Sequence, residues 1–372
     1  MGAHGAFVKG AKSHPSTAVV LGVPVDDVTV EEAVDIVDEL IEASRSSGTV
    51  HQVATVNADF VVNALLDPSL LEILQRTSLA IPDGMPLVWG SRMFGTPLRQ
   101  RTTGVDLLPA IIERAAQRGH RVVLFGAAPG IAARAADELS ERYPGAEVQG
   151  IEAGTVSADG EIADSVLGEL IAAAPDVVGV ALGNPKQERW IRRNATTVGP
   201  GVYIGIGGTL DFLTGVTSRA PTWMQERGLE WLHRAGSEPS RLAMRYARDV
   251  RMFCPAVLRQ AWEGRRIGAA IAPVVETSEG GTTVRLLGPL PFARADPTVT
   301  VALGEGRPVV IDASALRRFD NVTMSVIAGL VRAGRRAGVP VRAVGCSSDA
   351  VGEVAATYAA LLASGAPVVS RA

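Results

Sequence analysis

The sequence predicts an α/β protein: a mostly parallel sheet with helices on both faces, a basic helical appendage, and a second small α/β unit. Three observations carry that prediction. Short apolar, β-branched runs alternate with helical patterns through the first half of the chain. Glycine or a polar side chain follows each of those runs. Beyond an arginine- and tryptophan-rich stretch, a fresh strand–helix alternation begins at Thr282. At 372 residues the chain exceeds one ordinary core, so two folded units are expected.

Residues 1–18, with Lys9 and Lys12 among glycines and histidines, read as a disordered N-terminus without the apolar core of a secretion signal. Thr29-Val30-Glu31-Glu32 is a capping-box pattern, and Ala33, Ile36, Val37, Leu40 and Ile41 share one face, so a helix starts at Thr29. Strands are expected at Gln52–Val56, Leu79–Ile81, Arg121–Phe125, Val177–Leu182 and Val202–Ile206. Helices are expected at Asp106–Arg118, Ile131–Tyr143 and Glu161–Ala174, with Pro144-Gly145 and Pro175 punctuating their ends. This βαβ alternation predicts a Rossmann-like domain over 19–218.

Residues 219–266 hold ten arginines against five acidic residues, a net charge of +5, with Trp223, Met224, Leu229, Trp231 and Leu232 interleaved. They read as two helices interrupted near Gly236–Pro239. Residues 267–281 read as a linker. The unit at 282–372 is expected to place strands at Thr283–Leu287, Pro308–Ile311 and Val339–Val344, and helices at Val322–Ala337 and Ala350–Ala363. No internal repeat links the two units.

Composition excludes several classes. Apolar content of 47% with 20% charge belongs to a well-buried globular protein. A net charge of −3 points away from nucleic acid. Cys254 and Cys346 have no metal or disulfide spacing, which fits a reducing compartment. No apolar run reaches the roughly 18–20 residues that span a bilayer. The five histidines form no ligand cluster and no Asp-x-Asp follows a strand, so neither a metal nor another cofactor is expected. The glycine fingerprint of a dinucleotide-binding dehydrogenase is absent.

The chemistry is expected at the strand ends, which in an open parallel sheet share one rim where ligands bind. Asp83, between Pro82 and Gly84, can act as a general base, or it can be a turn aspartate satisfying its own backbone. Thr55 and Asn57 can bind a sugar or orient the base, and Asn57 can equally cap the helix that begins at Ala58. Gly126, Pro129 and their neighbours can cradle phosphate through backbone amides. Asn184-Pro185-Lys186-Gln187-Glu188 offers a cation for phosphate and hydrogen bonds for hydroxyls or a base. Gly207 and Gly208 allow close backbone approach, and Asp211 can accept from a sugar hydroxyl or cap a turn. The basic segment, including Arg219, Arg234, Arg241 and Arg245, suits an anionic membrane or a lipid diphosphate. It suits equally an interface in which arginine stems cover apolar surface.

Thr55-Val56-Asn57-Ala58-Asp59, Pro82-Asp83-Gly84, Thr103-Gly104-Val105-Asp106-Leu107, Gly183 to Trp190, Gly207-Gly208 with Asp211, Arg219-Ala220-Pro221, Gly228 to Leu232 and Glu238-Pro239-Ser240-Arg241 occur in order. Together they resemble the WecG/TagA/CpsF glycosyltransferases, family 26, over about residues 19 to 255. The resemblance implies inverting, metal-independent transfer of a sugar, N-acetylmannosamine or a related hexose, from a UDP-sugar. It implies a polyprenyl-diphosphate-linked acceptor in cell-surface polysaccharide or teichoic-acid-like synthesis. Asp83 then matches the base, Thr55 and Asn57 its active-site neighbours, and Gln187 the donor pocket. Arg101 and Asp106 join the substrate-binding set, and the segment after Arg219 engages the lipid at the inner face of the cell membrane. The alternative is a catalytically inactive sensor of sugar nucleotides.

The C-terminal unit resembles a STAS domain through Pro308 to Ser314, Phe319-Asp320 and Ala337 to Val341. That family's Asp-Ser-Ser-Gly switch reads Asp320-Asn321-Val322-Thr323 here, with Val322 at the phosphorylated position and Thr323 beside it. A docking or regulatory module for a protein partner is expected, without the phospho-switch.

Overall fold

The computed structural model describes residues 15–221, 223–224, 230, 233, 239–264, 269–290, 306–316 and 320–345. A two-stranded hairpin, β1 (Thr17–Val20) and β2 (Val23–Asp26), opens the fold. Thr17 and Ala18, read as part of the disordered N-terminus, are instead buried strand residues. α1 (Val30–Ser47) starts at Thr29 with both halves of the predicted capping box formed. There follow β3 (Val50–Val56), α2 (Ala58–Leu66), α3 (Pro68–Arg76), β4 (Leu79–Pro82), α4 (Met85–Met93) and α5 (Gly104–Arg118). Next come β5 (Arg121–Gly126), α6 (Ile131–Arg142), β6 (Glu147–Ile151), α7 (Asp164–Ala173), β7 (Val177–Ala181), α8 (Lys186–Val198), β8 (Gly201–Gly205) and α9 (Thr209–Leu213).

The main sheet has six strands in the order β4-β3-β8-β7-β5-β6, every pair parallel. Alternate strand residues serve opposite faces, as the pleat requires. Val53, Leu79, Ile81, Val122, Leu124, Val177, Val202 and Ile204 pack against α1, α5 and α6. Their neighbours Ala54, Val56 and Ala80 pack under α2 to α4. Val123, Phe125, Val178, Val180 and Tyr203 pack under α7 and α8. Both faces are covered, which is why the strands read as continuous apolar runs.

β6 escaped prediction because it is an edge strand whose Glu147 is exposed and whose Gln149 is exposed as well. The second helix expected in the basic segment is the long α10 (Pro239–Glu263), with Phe253 and Val257 packed into the α2–α4 core, and most of residues 222–238 lie outside the described residues. The segment read as a linker contains β9 (Val274–Ser278), antiparallel to β10 (Gly281–Arg285). With β11 (Val309–Asp312) and β12 (Val341–Val344) these form a separate mixed sheet, order β12-β11-β10-β9. The helix expected at 350–363 lies outside the described residues.

α11 (Asn321–Ala337) joins the two units, and every residue from Val322 to Gly334 is buried. One side packs into the core of its own sheet, a core that also takes in Val19 of β1. The other side carries Ser325, whose Oγ accepts from Val19 N at 3.1 Å, and Arg332. Arg332 donates to both oxygens of Asp26 at 3.1 and 2.7 Å, and both side chains are fully buried. Arg336 lies 2.8 Å from the same carboxylate, which also accepts from Thr17 Oγ1 and Ala80 N. Burial pushes the Asp26 pKa up, but the two guanidiniums and these hydrogen bonds outweigh it and hold the group well below the ordinary carboxylate range.

Candidate active site

The five strand ends picked out in the sequence belong to β4, β3, β8, β7 and β5, consecutive neighbours in a parallel sheet. Their carboxyl ends therefore form one rim. The register aligns Val56 with Pro82, Ala54 with Gly205, and Gly126 with Ala181.

The middle of the rim is the turn from Gly205 to Thr209. Thr55, 3% exposed, donates its hydroxyl to Gly205 O at 2.8 Å. Thr209 donates to Ile206 O at 2.6 Å. Gln187 Oε1 accepts from Gly207 N at 3.0 Å. The fit is tight at Gly205, where a Cβ would lie 2.5 Å from Gln187 Nε2 and 2.9 Å from Glu188 Oε1. Gly104, at the start of α5, is equally tight, with Thr209 Oγ1 only 2.7 Å from a built Cβ.

Gln187 and Glu188, expected at the donor pocket, are both completely buried beneath the turn. Gln187 Nε2 donates to Glu188 Oε1 at 2.7 Å, and Asn184 Nδ2 donates to Glu188 Oε2 at 2.9 Å. Asn63 of α2 donates to Asn184 Oδ1 at 2.6 Å and completes the chain. Burial raises the Glu188 pKa to about 7 against the hydrogen bonds from Gln187 and Asn184, and the charge of Asp59 adds to the rise. Lys186 donates to Val156 O at 3.2 Å, and Pro185 precedes the first turn of α8.

Asp83 is half-buried just past β4, its N–H bonded to Val56 O at 2.7 Å. Pro82 O accepts from Thr102 N at 2.8 Å, so the backbone is fixed on both sides of the carboxylate. Asn57 does cap α2, accepting from Phe60 N at 3.2 Å. Its Cβ lies 3.4 Å from the position a Cβ on Gly84 would take, which brings the β3 and β4 loops together.

Arg219 grips Asp106 through two bonds of 2.8 and 3.0 Å, and Thr103 steadies the same carboxylate at 2.6 Å. Arg101 pairs with Glu230. Arg101 and Asp106, expected to bind substrate, thus tie the start of the appendage to the first turn of α5. The Arg219 pKa is raised, first by the hydrogen bonds to Asp106 against the effect of burial, then by the charges of Asp106, Glu230 and Asp83. Asp83 and Arg219 therefore lie within each other's field.

At the outer end of the rim Gly126 is buried with a left-handed φ of 98°, where a Cβ would meet Leu182 and Ala181 O. Pro129 is exposed, and the Gly130 amide is already taken by Glu152 at 2.7 Å. Gly207, Asp211 and the exposed Gly208 flank the central turn. Arg245 stacks on Tyr246, 5.3 Å from the ring centroid. Arg234 and the side chain of Arg241 lie outside the described residues. Sequence reasoning missed Asn63, which sits one helical turn beyond Asp59 behind Asn57.

Among the described residues no group of three or more His, Cys, Asp or Glu side chains is arranged to hold a metal ion. Residues 18–267 match the Glycosyl transferase WecG/TagA/CpsF family. The chain is 31% identical over 207 residues to an N-acetylglucosaminyldiphosphoundecaprenol N-acetyl-beta-D-mannosaminyltransferase of Bacillus spizizenii, covering 56% of this chain and 78% of that protein. A protein of the same name from Bacillus subtilis strain 168 is 31% identical over 191 residues, covering 51% and 72%. Another from Staphylococcus aureus strain NCTC 8325 is 27% identical over 224 residues, covering 60% and 86%.

Proposed function

We propose a reaction on one premise: this chain belongs to the Glycosyl transferase WecG/TagA/CpsF family and is a glycosyltransferase. It transfers N-acetylmannosamine or a related hexose from a UDP-sugar to a polyprenyl-diphosphate-linked sugar, with inversion at the anomeric carbon. The names of the relatives support a lipid-diphosphate acceptor of this kind. The observation that supports the reading most is the single rim built from five adjacent strands, with Asp83 in the field of Arg219.

Asp83 takes the proton from the acceptor hydroxyl as its oxygen attacks the anomeric carbon. The bond to the diphosphate oxygen breaks, and UDP leaves with the pair of electrons. Arg219 and the arginines that follow it stabilise the developing charge, while the clamped Gly205–Thr209 turn keeps the floor rigid.

The exposed side of α10 supports a lipid surface as the resting place of the enzyme. Met244, Val250, Leu258 and Trp262 are all more than half exposed there, beside exposed Arg251 and Arg259. Trp89 and Met93 of the neighbouring α4 are exposed as well. Among the described residues no helix is long and apolar enough to cross a membrane.

The C-terminal unit acts as a STAS-like docking module whose partner is the catalytic unit of its own chain. Its Thr323 is 1% exposed and accepts from Leu290 N at 3.2 Å, so that hydroxyl is closed to a kinase in the folded chain.

Incubation with a panel of UDP-sugars and a lipid-diphosphate N-acetylglucosamine in anionic vesicles tests the reading. Acceptor-dependent release of UDP, with the enzyme sedimenting with the vesicles, is expected. Binding of UDP-sugar without transfer under any donor would support a sensor instead.

A further inference from the structure

The buried chain Asn63–Asn184–Glu188–Gln187–Gly207 has a direction. Gly207 contributes a backbone N–H, which can only donate, so Gln187 must present its oxygen to the turn and its nitrogen to Glu188. Asn184 also presents its nitrogen to Glu188 and keeps its oxygen for Asn63. Both orientations hold only while each oxygen of Glu188 accepts. We propose that Glu188 is a positioning residue for sugar transfer: as a two-sided acceptor buried under the rim, it fixes the polarity of the Gln187–Gly207 anchor and of Asn184 at the rim.

A group at this position that can donate must turn one neighbour around. The Gly207 end cannot reverse, because a backbone N–H has no acceptor face. The Asn184–Asn63 end can, and it then offers the rim the opposite hydrogen-bonding pattern. Protonation of the carboxylate does this, and so does glutamine.

The charge of Asp59 on α2 acts on Glu188, and Asp59 is held in turn by Arg248 of α10 at 2.7 Å, with Asp249 beside it. Lys186 and Arg189 turn away, to Val156 O and to Asp67. Among the described residues no cation is bonded to Glu188 to hold it ionised, and burial raises its pKa to about 7.

The inference rests on the glycosyltransferase reading for its kinetic arm only. Glu188→Gln is expected to lower kcat/KM at least tenfold at pH 8. The wild-type enzyme should lose a similar factor as pH falls below about 7, and the variant should not. The double variant Gln187→Glu with Glu188→Gln reverses the bond between the two side chains but restores an acceptor to both Gly207 N and Asn184 Nδ2. The backbone N–H of Gly207 and the amide nitrogen introduced at position 188 then donate to the new carboxylate at position 187, while Asn184 donates to the amide oxygen at position 188. It is expected to recover most of the lost activity.

A melting curve against pH supplies an arm without substrate. Because the folded-state pKa of Glu188 is raised from 4.5 to about 7, the native state holds the proton more tightly than the unfolded chain. Stability should therefore fall as pH rises from 4.5 to 7, and this slope should vanish in Glu188→Gln. Single-variant turnover within twofold of wild type, a double variant no better than the single, or an unchanged melting slope would each overturn the assignment. If no donor is turned over while the slope behaves as expected, the glycosyltransferase reading fails and Glu188 keeps its structural role.

Discussion

Asp83→Asn is expected to leave the melting curve unchanged and to lower turnover by about 10²–10⁴-fold, the range of a lost general base. The substitution is isosteric. What fixes this loop is backbone: Asp83 N to Val56 O and Thr102 N to Pro82 O. An asparagine keeps both bonds and loses the capacity to take a proton. Donor KM should change little, because the loss falls on a step made in the transition state. Near-wild-type turnover by this variant would remove Asp83 from the mechanism.

Arg332→Met is expected to cost about 3–5 kcal/mol, because it leaves Asp26 buried without its main counter-charge. In a chain of this size that lowers Tm by on the order of 10 °C. Asp26 is completely buried, and Arg332 reaches it from 306 residues away in sequence. The catalytic unit and the C-terminal unit should therefore melt together in calorimetry, with activity lost in the same transition. Asp26→Asn combined with Arg332→Met should cost less than the sum of the single changes, since a missing pair leaves less uncompensated charge than a broken one. Two well-separated transitions in the wild-type protein would show that the two units are independent.

The same buried pair shows where sequence reading stops. β3, β4, β5, β7 and β8 were legible because each is an apolar run ended by glycine, proline or a polar residue, with both faces covered. β1 and β2 are four residues each around Leu21-Gly22, too short to show a period. β9 looked like linker because four of its five residues are exposed. The rim was legible from its glycines, since a side chain at positions such as Gly205 and Gly104 would press on Gln187, Glu188 or Thr209. The roles of Gln187 and Glu188 were not, because polar side chains after a strand read as facing solvent, whereas here they support the turn from below. Nor could Asp106 be matched with Arg219, or Asp59 with Arg248: partners 113 and 189 residues apart leave no local spacing to read.

If one crevice at the carboxyl ends of five parallel strands binds the sugar nucleotide, saturating UDP should slow hydrogen–deuterium exchange together at residues 55–59, 83–86, 126–131, 183–188 and 205–209. Protection confined to the amino ends of the strands or to the C-terminal sheet would contradict it.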